Sequence, residues 1–157
     1  MIAPLWRSWF WWRVLAFFFA RYELIPAPSG AKYLGRWHFP RWITKRVDPS
    51  AEHLFLHYFY TSDPDRGWHN HPYVWCEREL LQGAYVQEIR VRYGMGHTFT
   101  ETFRAGDRNA LTDEFHAVRL LATPVWTLFR AGPKHGKSWG FIDRSGKFWP
   151  ANSGGMQ

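Results

Sequence analysis

The sequence predicts an all-β barrel or sandwich preceded by one aromatic-rich helix. Three observations carry this expectation. Short runs of strand formers recur at intervals of roughly eight to twelve residues, with turn signals between them. Little helical period is left after the first 25 residues. Aromatic side chains make up 20% of the chain, eleven of them Trp, and such rings carry large buried area and suit strands better than a helical bundle. At 157 residues the chain can bury a sizeable core as one domain. No internal repeat is evident.

Residues 1–25, MIAPLWRSWFWWRVLAFFFARYELI, are expected to form the helix. The uncharged run from Val14 to Ala20 is seven residues, far short of the ~20 that span a bilayer. At 100° per residue Arg7, Arg13 and Arg21 fall within about a third of the circumference, which gives an aromatic face and a basic edge. Three readings stay open: a helix packed on the barrel or on a second copy in a homodimer, a helix in the interface of a membrane, and a signal peptide with Ala27-Pro28-Ser29 as its cleavage site. Residues 26–32 read as a linker, because the prolines and glycine around them break a helix. The barrel is expected over 33–150, with a flexible tail over 151–157.

Within the barrel, Tyr33 to Arg46 reads as an edge strand or arm, with Pro40 marking the edge. Its Arg36, Arg41, Lys45 and Arg46 interleave with Trp37, Phe39 and Trp42, which is also what phosphate contact plus stacking on a nucleic acid needs. Glu52 to Thr61 is apolar on both faces, as in a covered strand. His57 in it faces the cavity or is a satisfied core histidine. Strands are expected from Ala84 to Tyr93, from Thr98 to Arg104, from Phe115 to Leu121 and from Pro124 to Arg130. Turns are expected at Gln82-Gly83 and Gly94-Met95-Gly96, a loop from Gly106 to Glu114, and a final hairpin from Trp139 to Trp149.

The chemistry concentrates in Gly67 to Glu88. Successive strand side chains point to opposite faces, so His69 and His71 project together while Asn70 turns away. Two imidazoles on one face can reach a single ion about 2 Å from each, leaving further ligands to come from elsewhere. His116, sharing a strand face with Val118 and Leu120, is the candidate third ligand.

This pattern resembles the cupin superfamily, whose first motif is an HxH pair, a glutamate some residues on, and a glycine at the next turn. His69, His71, Pro72 and Gly83 match it. Counting back seven from Gly83 reaches Cys76, with Glu77 one residue beyond, so the place of the motif's glutamate is taken by Cys76 or Glu77. The second motif is matched more loosely by Gly106-Asp107 and His116, over a resemblance covering residues 53–149. The resemblance implies a cupin-like double-stranded β-helix, or jelly roll, and a divalent iron, manganese, nickel or zinc. It also implies dioxygenation, isomerisation or decarboxylation. Since His71 stands where 2-oxoglutarate enzymes carry a carboxylate, a three-histidine, oxygenase-like site is the expected form. Cys76, Glu77 and Glu88 are its further candidate ligands, and Tyr85 and Gln87 its candidate substrate contacts.

The net charge of +7 and pI near 9.9 favour anionic partners. These are a phosphate- or carboxylate-bearing small substrate, or a nucleic acid or anionic membrane met through residues 1–46. One cysteine excludes an intramolecular disulfide and fits a reducing compartment, so a cytoplasmic location is expected, with membrane association through the N-terminal segment.

Overall fold

The computed structural model describes residues 9–27, 29–63, 67–90, 97–112, 114–136 and 138–151. In chain order these form α1 (Trp9–Phe19), β1 (Arg21–Pro26), β2 (Lys32–His38), α2 (Arg41–Val47), β3 (His53–Phe59), β4 (Trp68–His69), β5 (Cys76–Arg90), β6 (Thr98–Arg104), β7 (Arg108–Leu111), β8 (Phe115–Ala131), β9 (Gly140–Ile142) and β10 (Phe148–Pro150). Every pairing is antiparallel, and the ten strands make one sheet that curls into a half-barrel. The long β8 is its hub, hydrogen-bonded to β3, β4 and β5.

Strand alternation sorts the side chains of β2, β3 and β8 into two layers. Trp37, Leu54, Leu56, Trp126 and Leu128 face outward, where α1 covers them with Trp12 and Ala16 and α2 with Ile43. Leu54 and Leu56 are at most 1% exposed, and burial of each is worth about 1.5–3 kcal/mol. Arg36, His57, Phe59 and Phe129 face inward and line the cavity of the half-barrel.

Several expected boundaries shift. The N-terminal helix ends at Phe19, and 21–26 form β1, which pairs with β2 instead of continuing the helix or opening a linker. The edge strand is therefore β1, while β2 lies between β1 and β3. Pro40 caps α2 with φ −66° instead of marking an edge. Its fixed φ and missing N–H suit a helix start, and Ile43 and Thr44 are the buried face. In consequence Arg36 points into the cavity and Trp37 and Phe39 pack in the core, which leaves Arg41, Trp42 and Arg46 as the exposed part of the basic and aromatic stretch.

Gly83 is no turn. It lies inside β5 at φ +88°, and the pairing with β8 shifts register there. An inserted residue reverses the parity of a strand. Accordingly Cys76, Arg78 and Leu80 face inward before the bulge, whereas Tyr85 packs inward with the same cluster as Leu80 after it. The two strands expected over 115–121 and 124–130 are one, β8, and the expected loop after Gly106 contains β7. The hairpin of β9 and β10 falls within the segment expected for it. The turn at 94–96 and the tail at 152–157 lie outside the described residues.

Candidate metal centre

β4 is two residues long, Trp68–His69. Its register against β8 sets His69 directly opposite His116, and directly opposed residues of an antiparallel pair hold their side chains together on one face. His71, two residues on, returns to that face. Asn70 turns away as expected: its Oδ1 accepts from Gly140 N–H at 2.8 Å, and its own N–H donates to the Gly140 carbonyl at 3.1 Å. That pair of bonds fixes the histidine segment to the start of β9.

The Nε2 atoms converge. His116 Nε2 lies 3.0 Å from His69 Nε2 and 3.1 Å from His71 Nε2, and one ligand atom from each residue falls within 4.8 Å of the others. Nitrogens about 2.1 Å from a common ion and about 90° apart stand about 3.0 Å from one another, so the three residues fit a divalent ion. His116 is fully buried. Burial holds His116 and His71 well below the usual imidazole pKa, reinforced by their histidine neighbours and by Arg78, which keeps both rings neutral as metal ligation requires.

The supporting residues differ from those expected. Asp63 accepts from Val118 N–H at 2.7 Å and from the Tyr33 hydroxyl, and its carboxylate lies 3.5 Å from His69 Nδ1. A carboxylate behind a ligating imidazole fixes tautomer and ring orientation. His116 Nδ1 instead meets Arg78 Nη2 at 3.2 Å. Arginine only donates, so that nitrogen accepts and the ring's proton stands on Nε2, toward the other two histidines. Ligation through Nε2 by a neutral ring requires that this proton move to Nδ1 and that the contact with Arg78 be released.

The remaining candidates are dispersed. Cys76 donates its S–H to the Leu111 carbonyl within a buried cluster, and burial pushes its thiol pKa up to about 12. Glu77 pairs with Arg130 on the outward face. Glu88 lines a separate cleft with Arg119 and Arg144. Tyr85 and Gln87, expected as substrate contacts, hold Arg78 instead: Gln87 Oε1 accepts from Arg78 and, at 2.7 Å, from Asn109, and the guanidinium lies 5.5 Å from the Tyr85 ring. His57 joins both of its readings. It lines the cavity and is satisfied there, its Nε2 accepting from Arg36 Nε at 3.2 Å.

The cavity beside the histidines has a volume of about 300 Å³. Arg36 and Arg78 both face it, between Phe59, Phe129 and Phe141. Among the described residues Arg78 has no carboxylate partner, and Arg36 has only Glu23 at 3.9 Å.

Comparison with solved structures settles the architecture. The chain is similar to Fe(II) HppE, at 15% identity and TM-score 0.53 over 71% of this chain and 56% of that one. It is likewise similar to a mutant of Bacillus subtilis oxalate decarboxylase, at 18% identity and TM-score 0.51 over 73% of this chain and 29% of that one. The fold is cupin-like. The chain thus spans about half of the one and under a third of the other, and at these identities the likeness is one of fold. No family model and no curated protein matches the sequence. In cupin terms, the HxH pair and the later histidine meet as the motif implied, while its glutamate position holds the buried thiol of Cys76.

The buried histidines also set a pH dependence. His57, His71 and His116 have folded pKa values lowered chiefly by burial, so below about pH 6.5 the unfolded chain binds protons that the folded chain does not. Stability is therefore present above that pH and lost as pH falls, by up to about 1.4 kcal/mol per pH unit for each ring. The metal-free protein is expected to melt at progressively lower temperature from pH 7 to pH 5 in calorimetry. A flat profile would mean that the rings are solvated.

Proposed function

We propose that the chain is a metal-dependent enzyme of the oxygenase type that acts on a small anionic substrate through an ion held by His69, His71 and His116. The observation that carries this reading is the meeting of three imidazole nitrogens at the wall of a small cavity that also presents two arginines. Three neutral ligands leave the charge of a divalent ion uncancelled. Such an ion supplies Lewis acidity and, when redox-active, the electrons of an oxidation. Fe(II) in HppE and the Mn(II) centres of the Bacillus subtilis oxalate decarboxylase support an ion of that kind.

The chain's own residues then have separate tasks. Arg36 receives the anionic group of the substrate, since its only carboxylate partner among the described residues is distant and half exposed. Arg78, fixed by Gln87 and Tyr85, adds positive potential beside His116. Phe59, Phe129 and Phe141 exclude water and so strengthen both effects. Asp63 keeps His69 aimed at the ion.

Elemental analysis of protein purified without added metal tests the first half of the proposal, with about one divalent ion per chain expected. Oxygen uptake after anaerobic loading with Fe(II) or Mn(II), across a panel of small carboxylates and phosphonates, tests the second. A metal-free protein, or a zinc protein that consumes no oxygen with any of them, would sink the oxygenase reading. With an active substrate in hand, Arg36→Met is expected to raise KM about 10- to 100-fold and to alter kcat less, the loss of one buried charge-assisted hydrogen bond.

A further inference from the structure

The fold leaves a ridge of aromatic rings uncovered at the junction of α1 and α2. Trp12 and Ala16 bind α1 to the sheet, and at 100° per residue Phe10 and Phe17 point nearly opposite to them. Phe17 is 82% exposed, Phe18 69% and Phe19 49%. The ridge continues onto the second helix, because Phe19 meets Trp42 edge to face at 5.6 Å, and Trp42 is itself 61% exposed. Consecutive rings along it are 5.2 and 6.3 Å apart, so this is one continuous apolar surface and not a scatter of single side chains. A groove of about 400 Å³ opens beside it, between Phe10, Phe17 and Phe18 on the helix and Trp37 and Trp126 on the sheet.

The charges around the ridge identify what covers it. Arg13, Arg21, Arg41 and Arg46 are exposed around it. The acids nearest α2 are already engaged: Glu52 is paired with Lys45 at 3.1 Å and Arg41 at 3.6 Å, and Asp48 with Arg130 at 3.8 Å. Residues 9–52 hold seven Lys or Arg against three acids. A second copy of the chain would bring the same basic rim against itself, at a repulsive cost. An acidic lipid surface would instead take the rings into its acyl boundary and the guanidinium groups at its phosphates. No described helix is long and apolar enough to cross a membrane, which matches lying on a bilayer and not spanning it.

The geometry points to the α1–α2 ridge as a docking surface for anionic membranes, with Phe17, Phe18, Phe19 and Trp42 entering the lipid interface and Arg21, Arg41 and Arg46 contacting headgroup phosphates. The inference is independent of the metal centre, since the ridge lies on the opposite face of the sheet from the cavity.

Co-sedimentation of the full chain with vesicles tests it. Vesicles of phosphatidylcholine mixed with phosphatidylglycerol are expected to bind the protein in a salt-sensitive manner, and vesicles of phosphatidylcholine alone to bind it far less. The exposed double variant Phe17→Ser with Phe18→Ser is expected to weaken binding roughly ten-fold or more. Arg41→Gln with Arg46→Gln should weaken it about five-fold per charge. Melting temperature and metal content should stay unchanged in both variants, because none of the four side chains is buried. Absence of sedimentation with the anionic vesicles overturns the proposal. So does binding that the phenylalanine variant leaves intact, which is plain electrostatic adsorption, and so does a dimer that this variant disperses in a protein with no affinity for vesicles.

Discussion

Replacing His116 by alanine is expected to lower metal affinity by at least about a hundred-fold, beyond what loss of a supporting residue costs. The ring supplies the nitrogen that lies within 3.1 Å of both partners, so its removal leaves two ligands with no shared neighbour. It also leaves Arg78 aimed at empty space in a fully buried position, where a cation repels an incoming ion. Asp63→Asn keeps one acceptor oxygen where the carboxylate offers separate oxygens to Tyr33 and to the Val118 N–H, and it removes the charge behind His69, so a 10- to 100-fold loss is expected there. His57→Phe provides the contrast. That ring stacks on Phe55 with centroids 5.8 Å apart and lies outside the three-residue group, so metal affinity should be retained. Competition against a chromophoric chelator ranks the three variants. Equal losses in all of them would show a general effect on folding, and an unaffected His116→Ala protein would remove the metal centre.

The part of the site that obeys local rules was legible in the sequence. His69 and His71 share a face because alternation makes them do so, and Asn70 turns away for the same reason. His116 could be nominated because its strand has a clear inner face. Asp63 escaped notice because its role depends on a loop closing onto a strand 55 residues later, and nothing in the spacing of Asp63 to Val118 records that closure. Arg36 was misplaced for a different cause. Arg41 to Val47 is β-branched and aromatic enough to pass for a strand, so the whole stretch from Tyr33 read as one basic arm. In the fold Pro40 starts a helix there, and the preceding strand is thereby covered on one face and turned to the cavity on the other. Alternation gives the inward direction of Tyr85 and Gln87 on β5 without revealing that both meet Arg78, the residue that lines the cavity.

Gly83→Ala is expected to be among the most destabilising single-methyl additions in the chain, because two independent costs fall on one residue. At φ +88° an L-residue loses roughly 1–2 kcal/mol to its own backbone. The added Cβ would also stand 2.5 Å from the Pro124 carbonyl oxygen and 2.7 Å from that of Ala122. Both are backbone atoms of β8, so relief requires β5 and β8 to part at the bulge. A combined cost of about 3–5 kcal/mol is expected, which for a domain of this size lowers Tm by roughly 10 °C. Gly106→Ala isolates the first cost from the second. Its φ of +98° is as unfavourable, yet nothing lies within 4 Å of the added methyl, so only about 1–2 kcal/mol should be lost. The bulge also has a functional consequence that stability alone does not report. It reverses the parity of β5, so that Arg78 before it and Gln87 after it face the same interior, and β8 opposite carries His116. Metal affinity in Gly83→Ala should therefore fall even at temperatures where the protein remains folded, while Gly106→Ala keeps the affinity of the parent chain. Calorimetry and chelator competition on the two variants separate the cases, and equal behaviour of both would show that β5 and β8 do not meet at Gly83 as closely as the fold requires.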